Sequence, residues 1–595
     1  MQGEDPIPQP PRDQQVPTDH KSARSSSVSP QPVCRVPPGI HEEEGTTSSP
    51  VFGWAGLRRA GSWFFFPLCI CAVGCHIAGL QRLQAVRLAK DQALAGQLIF
   101  WLLAGGLWFL ALLALALRRT SSQSFGGWRS WAALSGLAGL GLLMRLWALP
   151  LPVTHSQDVY RYLWDGAVQR AGQNPYLDPP AAARYADVQR EQPEVFASIN
   201  HRHLPTIYPP AAQHMLSLSA RLGKRGEDTG TAARRWKLLC GGAELLLWLV
   251  FAGLLRRQRI DLRWLSLWLL CPLPAIEIWL NGHIDVVGVL LLGLAVWAWP
   301  EPAPKPATEA QAEDVEDQEA AKREPGPSMQ PALAICAAAC GAALSLAALV
   351  KPLAVVVLPG LRRLSRRAIV IAAAAGLLAA VVAWVPYCQA GLRVTPSLGE
   401  YGRRWRSNDG AFALLQQTSE VLTAIAYRPP YWAPWRIPAL ARWVSGRDRA
   451  TVWPDELAGF LARALSALAL GALLRLCIVR RLSAARAGLV LLSGYALLTP
   501  VLHPWYLLWP LLLAPQWRRA AWPVLVLCAL APLAYVPLID ELRGQPHREA
   551  AWPRLIEHGG AWLAVLWCRH ELVQGLMASS AVAPDPGTAD GGAAD

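Results

Sequence analysis

The residues best suited to chemistry crowd into one stretch, Thr154-His155-Ser156-Gln157-Asp158-Val159-Tyr160-Arg161-Tyr162-Leu163-Trp164-Asp165-Gly166. Read as a short helix over 157–170, it places Asp158, Arg161, Tyr162 and Asp165 at i, i+3, i+4 and i+7, on one stripe. Two carboxylates, a guanidinium and a phenol so arranged suit the binding and deprotonation of a sugar hydroxyl, because a general base needs a positioned carboxylate. The plainer alternative is a solvated loop with an aspartate cap. Gln173-Asn174-Pro175-Tyr176 and Thr206-Ile207-Tyr208-Pro209-Pro210 continue the same polar, aromatic segment. Further on, Asn281-Gly282-His283-Ile284-Asp285 sets an amide, an imidazole and a carboxylate at one helix start, as a cap or as a contact to substrate.

The elements that must position these groups are membrane helices. Of 595 residues, 53% are apolar and only 16% charged, with 28 Trp and a mean hydropathy of +0.23. Soluble proteins carry about 25% charged residues, and indole rings favour the membrane–water boundary. A soluble enzyme, a disordered chain and a nucleic-acid binder are excluded on this ground, despite the net charge of +14. Apolar runs lie at 61–80, 93–117, 131–151, 238–255, 264–280, 284–299, 331–350, 352–360, 368–388, 457–478, 486–500, 503–516, 520–539 and 559–569. Some are too short to cross about 30 Å of hydrocarbon, so 11–13 spans are expected. They must be helices, since backbone polar groups in lipid need partners within the segment. The fold expected is an all-α polytopic bundle over 56–575, with polar tails at 1–55 and 576–595, an acidic disordered loop at 300–330 and a large extracytoplasmic loop after the third span. Basic loops set the orientation. Arg118-Arg119 and Arg362-Arg363 read as cytoplasmic, which delivers 152–206 to the outer face, provided that 207–222 does not fully cross.

The motif Asp158-Val159-Tyr160-Arg161-Tyr162-Leu163-Trp164-Asp165-Gly166, with Asn174-Pro175-Tyr176 and Tyr208-Pro209-Pro210, resembles membrane glycosyltransferases of the GT-C superfamily. The likeness is to the bacterial mannosyltransferase branch, family 87 and its polyprenyl-phosphomannose-dependent relatives. Asn281 to Asp285, Leu349-Val350-Lys351-Pro352, Tyr401-Gly402-Arg403-Arg404-Trp405-Arg406-Ser407-Asn408-Asp409-Gly410 and His503-Pro504-Trp505-Tyr506 extend it over roughly residues 130 to 540. The resemblance implies a GT-C-like fold in the bacterial cytoplasmic membrane. It further implies a polyprenyl-phosphate sugar donor, a lipid or glycan acceptor, inverting transfer and a catalytic acid residue in the first large outer loop. That role falls on Asp158, with Asp165 as the nearest rival. Substrate contacts are then expected from Arg161, Tyr162, Asp165, Asn174, Tyr176, Tyr208, Asn281, His283 and Asp285.

A departing lipid phosphate calls for positive charge. Arg145, Lys351 (after twenty uncharged residues), Arg403, Arg404 and Arg406 offer it, with His503 and Tyr506 beside them. Arginine meets phosphate with two prongs and lysine as a point charge, although Arg145 and Lys351 also fit snorkelling anchors. Glu244 and Glu277 lie in apolar runs, where carboxylates are usually functional or paired. No cluster demands a metal: Cys336 and Cys340 lack further ligands, and only Asp158 and Asp165 form a pair able to share a divalent cation. Competing classes are a flippase of lipid-linked sugars and a non-catalytic subunit of an envelope assembly.

Overall fold

The computed structural model describes residues 90–117, 128–300, 331–426, 454–545 and 550–578. The apolar run 61–80, the turn Arg118-Arg119, the acidic loop 301–330 and the polar tails (1–55 and 579–595) lie outside the described residues. Within them the chain is helical, and the only extended pairing is an isolated bridge between Ser407 and Val501.

Helices α1 (Lys90–Leu117) and α2 (Trp128–Ala148) lead into a polar excursion carrying α3 (Asp158–Arg170) and α4 (Pro210–Leu222). Next come α5 (Thr229–Arg257), α6 (Asp285–Trp297), α7 (Pro331–Ala348) and α8 (Arg366–Trp384). The described chain continues through α9 (Ala411–Ala426), α10 (Pro454–Val479), α11 (Ala484–Leu498), α12 (Trp522–Leu530) and α13 (Ala551–Ala578). The last helix runs three residues past the expected boundary at 575. Side-chain caps mark two of the starts. Asp228 accepts the Thr231 amide at 2.9 Å ahead of α5, and Ser365 accepts the Ala368 amide at 3.3 Å ahead of α8.

Among the described residues, six helical stretches are long and apolar enough to cross a bilayer, and three shorter apolar helices accompany them. Their outward faces are greasy: Leu249, Val370, Leu377, Leu468 and Leu563 are each more than 60% exposed. An apolar surface of this extent belongs against lipid. The protein is an all-α polytopic membrane bundle.

Among the described residues, several of the expected apolar runs are broken rather than continuous helices. Residues 264–280 form no single helix. Pro272 and Pro274 cannot continue the backbone ladder, and the segment divides into a 3₁₀ turn, two short α turns and a π turn over Ala275–Leu280. Trp264 to Leu280 are all buried, so these irregular backbone groups face protein rather than lipid. Pro352–Arg363 is a 3₁₀ helix, and 504–517 is divided into three short pieces. Helix α4, with 13 residues, is about 20 Å long and too short to cross. It packs instead on α3.

Small residues set the closest helix contact. A Cβ on Gly341 would stand 1.9 Å from the Ala372 carbonyl oxygen, so α7 and α8 meet backbone to backbone.

Arg145 of α2 and Glu244 of α5 form a fully buried ion pair, with Nη2 to Oε1 at 2.7 Å and Nε to Oε1 at 2.9 Å. The remaining guanidinium donors reach the Gly141, Leu269 and Trp268 carbonyls, at 3.0, 2.8 and 3.2 Å. Trp268 and Trp279 donate to the same carboxylate. All five guanidinium N–H groups are thereby used in pinning α2 and α5 to the broken segment. Arg145→Met, which strands Glu244, is expected to cost about 3–5 kcal/mol, read as a lower melting temperature in detergent. Arg145→Met with Glu244→Leu should recover most of that loss; a double variant no more stable than the single one would show the pair to be uncoupled.

Candidate active site

The site is built around a local break. Beyond the π turn the chain reverses through Gly282, whose φ of +72° suits glycine and few other residues. Trp236 Nε1 holds the Gly282 carbonyl at 2.6 Å. The chain then enters α6 at Asp285, where the positive end of the helix dipole favours an anion.

Asp285 is fully buried and accepts from Lys351 Nζ on both oxygens, at 2.8 and 2.9 Å. Trp509 Nε1 donates to it at 2.8 Å. The Lys351 ammonium also lies 4.2 Å from the centre of the Tyr506 ring, and the Tyr506 hydroxyl bonds that of Tyr401 at 2.7 Å. Lysine has three N–H donors, so one remains after the two bonds to Asp285.

Asp158 opens α3 beside this node, with its side chain 31% exposed. Burial pushes its carboxyl up to about 6, against the opposing pull of Lys351. The Asp285 charge adds to the rise, while the Tyr208 hydroxyl and Arg161 hold it back. Its Oδ2 lies 3.9 Å from Nδ1 of His283, whose Nε2 lies 3.4 Å from Glu277 Oε2. Neither imidazole nitrogen has a hydrogen-bond partner. Glu277 in turn accepts from Tyr535 at 2.7 Å and Asn281 at 3.3 Å, and Asn281 also receives the His155 amide at 3.4 Å. His283 and His503 both stack on Trp505, at 3.7 and 4.4 Å with interplanar angles of 17° and 10°.

The other expected site residues divide by what already occupies their polar atoms. Asp165 is fully buried and accepts from Arg161 at 2.9 Å, from Thr206, and from Gln213 at 2.9 Å. It therefore locks α3 to the return strand of the loop and to α4. Arg161 also donates to the Leu204 carbonyl at 3.1 Å. Tyr162 packs edge-on against Tyr208 at 5.0 Å. Asn174 accepts the Tyr176 amide at 3.0 Å, and the Tyr176 hydroxyl bonds the Tyr208 carbonyl at 2.7 Å. Asn174-Pro175-Tyr176 thus braces the backbone that presents Tyr208. Asp158 and Asp165 do not fit a shared cation: they are two turns apart, about 10 Å along the axis, and the oxygens of Asp165 are engaged. No group of three or more possible metal ligands occurs among the described residues.

The second long loop reaches the site by pairing with the turn that carries His503. The Ser407 amide donates to the Pro500 carbonyl at 3.0 Å and the Leu502 amide to Ser407 at 2.9 Å. Arg406 is tied to Asp409 at 2.8 Å, and Arg554 bonds the same carboxylate. Arg403 is 39% exposed, 3.9 Å from Glu400, and the side chain of Arg404 lies outside the described residues. Arg145 stands apart, its donors spent on Glu244 and carbonyls. Residues that sequence reasoning passed over are Trp509, Tyr535 and Glu557, which receives Asn408 Nδ2 at 2.9 Å. Glu557 stands just ahead of the apolar run 559–569, and the Trp and Tyr resemble ordinary belt residues.

The membrane bundle thus gathers acid, imidazole, ammonium and aromatic groups around Asp158 and Asp285. Residues 68–367 match the model of the MptA_B family, described as alpha-(1->6)-mannopyranosyltransferase, N-terminal domain, and the chain belongs to this family. The match includes Asp158, Asp285 and Lys351 and ends before the 401–410 and 503–506 segments. No curated protein and no solved structure matches the chain.

Asp165→Ala removes the common acceptor of Arg161, Thr206 and Gln213, and we expect it to lower the melting temperature of the purified protein. Asp158→Asn should leave melting unchanged. Equal melting of both variants would show that Asp165 does not hold α3 in place.

Proposed function

We propose that this protein transfers mannose, with inversion, from a polyprenyl-phosphate donor to an envelope lipid or glycan at the extracytoplasmic face of a bacterial cytoplasmic membrane. Asp158 takes the proton of the acceptor hydroxyl, whose oxygen attacks the anomeric carbon from the side opposite the phosphate. The bond from that carbon to the phosphate oxygen breaks, and its electron pair leaves with the polyprenyl phosphate. The observation that carries this reading is Asp158 itself, a partly open carboxyl near the partly buried Lys351, in a family of mannosyltransferases.

Several features support the finer assignments. Lys351, held in place by Asp285 and Tyr506, keeps an N–H to meet charge developing on the leaving phosphate. His503, Tyr506 and the 403–406 arginines lie on the segments that close on it. Tyr208 and His283 border Asp158, and Asn281 steadies the loop ahead of α3. The outer-face assignment rests on Arg118-Arg119 and Arg362-Arg363 as cytoplasmic loops, which puts Arg256 and Arg257, at the end of α5 away from Trp236, on the same side. Arg234, Arg235 and Lys237, at the Trp236 end, run against the charge rule.

The test is transfer of radiolabelled mannose from polyprenyl-phosphate mannose in liposomes containing the purified protein. A new glycoside supports the reading, whereas donor that is moved but not consumed would identify a flippase. Asp158→Asn should reduce the rate by about 10²–10⁴-fold while donor binding persists, and near-normal turnover would remove it as base. The wild-type rate should be flat above pH 6 and fall tenfold per unit below, since the carboxyl protonates as pH drops through about 6. Lys351→Ala should weaken use of the lipid-phosphate donor; an unchanged rate would reduce it to a structural partner of Asp285.

A further inference from the structure

A wide cavity in the described residues lies away from the Asp158 site. It measures about 920 Å³ and is lined by Arg257, Arg363, Arg486, Arg518 and Arg519, with Glu571 as its one acid. Its place in the fold follows from α5. Trp236 and Lys237 of that helix touch the Asp158 end, through the Gly282 and Leu151 carbonyls. Arg257 is twenty residues further along the same helix, about 30 Å away, which is the thickness of a bilayer's hydrocarbon. The cavity therefore opens at the opposite membrane boundary.

Its charge is poorly compensated. Arg519 pairs with Glu571, and Arg257 donates to the Trp297 and Trp299 carbonyls. Arg486 and Arg518 form no ion pair among the described residues, although, against its burial, the Arg518 charge helps lower the Asp261 carboxyl, which is itself paired with Arg263. They lie instead over aromatic faces, Arg486 at 5.8 Å from Trp517 and Arg518 at 5.3 Å from Trp264. Stacked this way, a guanidinium keeps its N–H edge free for an anion. The amide nitrogen of Gln516, also in the lining, is buried with no hydrogen-bond partner. Trp522 and Trp567 complete an indole wall at the level where such rings sit among lipid headgroups.

We infer that this cavity binds the phosphate of an anionic membrane lipid, with Arg486 and Arg518 gripping the phosphate oxygens and the tryptophans flanking the glycerol and upper acyl chain. Basic pockets between membrane helices at the cytoplasmic boundary take such headgroups. The site is separate from Asp158; its placement at the cytoplasmic boundary rests on the orientation proposed above, while the grip on phosphate does not.

The experiment is native mass spectrometry of the full chain taken from nanodiscs of phosphatidylglycerol and phosphatidylcholine in equal amounts. The wild-type protein should retain phosphatidylglycerol in at least tenfold preference. The double variant Arg486→Gln, Arg518→Gln should lose that preference while melting like the wild type, and Asp158→Asn should keep it. Equal retention of the two lipids by the wild type, or unchanged preference in the double variant, would overturn the inference. So would preference seen only after residues 305–326 are deleted, which would make the chain's own acidic loop the occupant. A wild-type protein that prefers no lipid but is stabilised by millimolar inorganic phosphate, with the double variant unresponsive, would identify a soluble phosphate ligand and equally overturn the lipid.

Discussion

The arrangement of this site depends on one buried charge pair. Asp285 has no solvent and would be intolerable inside a bundle without partners, because a desolvated carboxylate must be paired and hydrogen-bonded. Lys351 and Trp509 supply those partners from two other segments of the chain. The start of α6, the turn after α7 and the broken helix after His503 are consequently held in one register. The charges around Asp158 are thereby fixed, and a carboxyl beside a fixed cation and a fixed anion has a defined affinity for its proton. The pair also explains the local sequence: a glycine with positive φ immediately before α6, and a lysine closing a run of twenty uncharged residues.

Residue type and spacing revealed where chemistry is concentrated, but not which groups are free to perform it. Asp158 and Asp165 share a stripe on α3 and were rivals for one role. They differ through their partners: Thr206 and Gln213, 41 and 48 positions beyond Asp165, hold its Oδ2, and Arg161 holds its Oδ1. Arg145 and Lys351 are a second such pair. Both read as cations in apolar surroundings, yet every donor of Arg145 is spent on Glu244 and backbone, whereas Lys351 keeps one. Asn174 and Tyr176 likewise turned out to brace the chain near Tyr208. A one-dimensional pattern records proximity along a helix and is silent on the contacts that close across it.

The fold was legible to the extent that hydrophobic length dictates it. Runs such as 238–255, 331–350 and 457–478 are helices because nothing in them disrupts the ladder. Segment 264–280 has the same apolar character but two prolines, and its irregular backbone survives because the bundle encloses it. Hydropathy does not distinguish burial in protein from burial in lipid. For the same reason Trp509 and Tyr535 were invisible as contributors: an indole donating to Asp285 and an indole at the membrane boundary look alike in sequence.

The distribution of engaged carboxylates bears on stereochemistry. A double displacement that retains configuration needs a second free carboxyl about 5–5.5 Å from the first, acting as nucleophile. The acids near Asp158 are Asp165, Glu277 and Asp285. Asp165 is enclosed by Arg161, Thr206 and Gln213; Asp285 is bound by Lys351 and Trp509; Glu277 is held by Tyr535 and Asn281 and reaches Asp158 only through the His283 ring. Each would have to shed partners inside a buried site before attacking carbon. A single displacement requires no such rupture, only one carboxyl that is partly open and poised to take a proton, and Asp158 alone among the four meets that description. The spent oxygens of Asp165, Glu277 and Asp285 are the structural ground on which the proposed transfer is written with inversion.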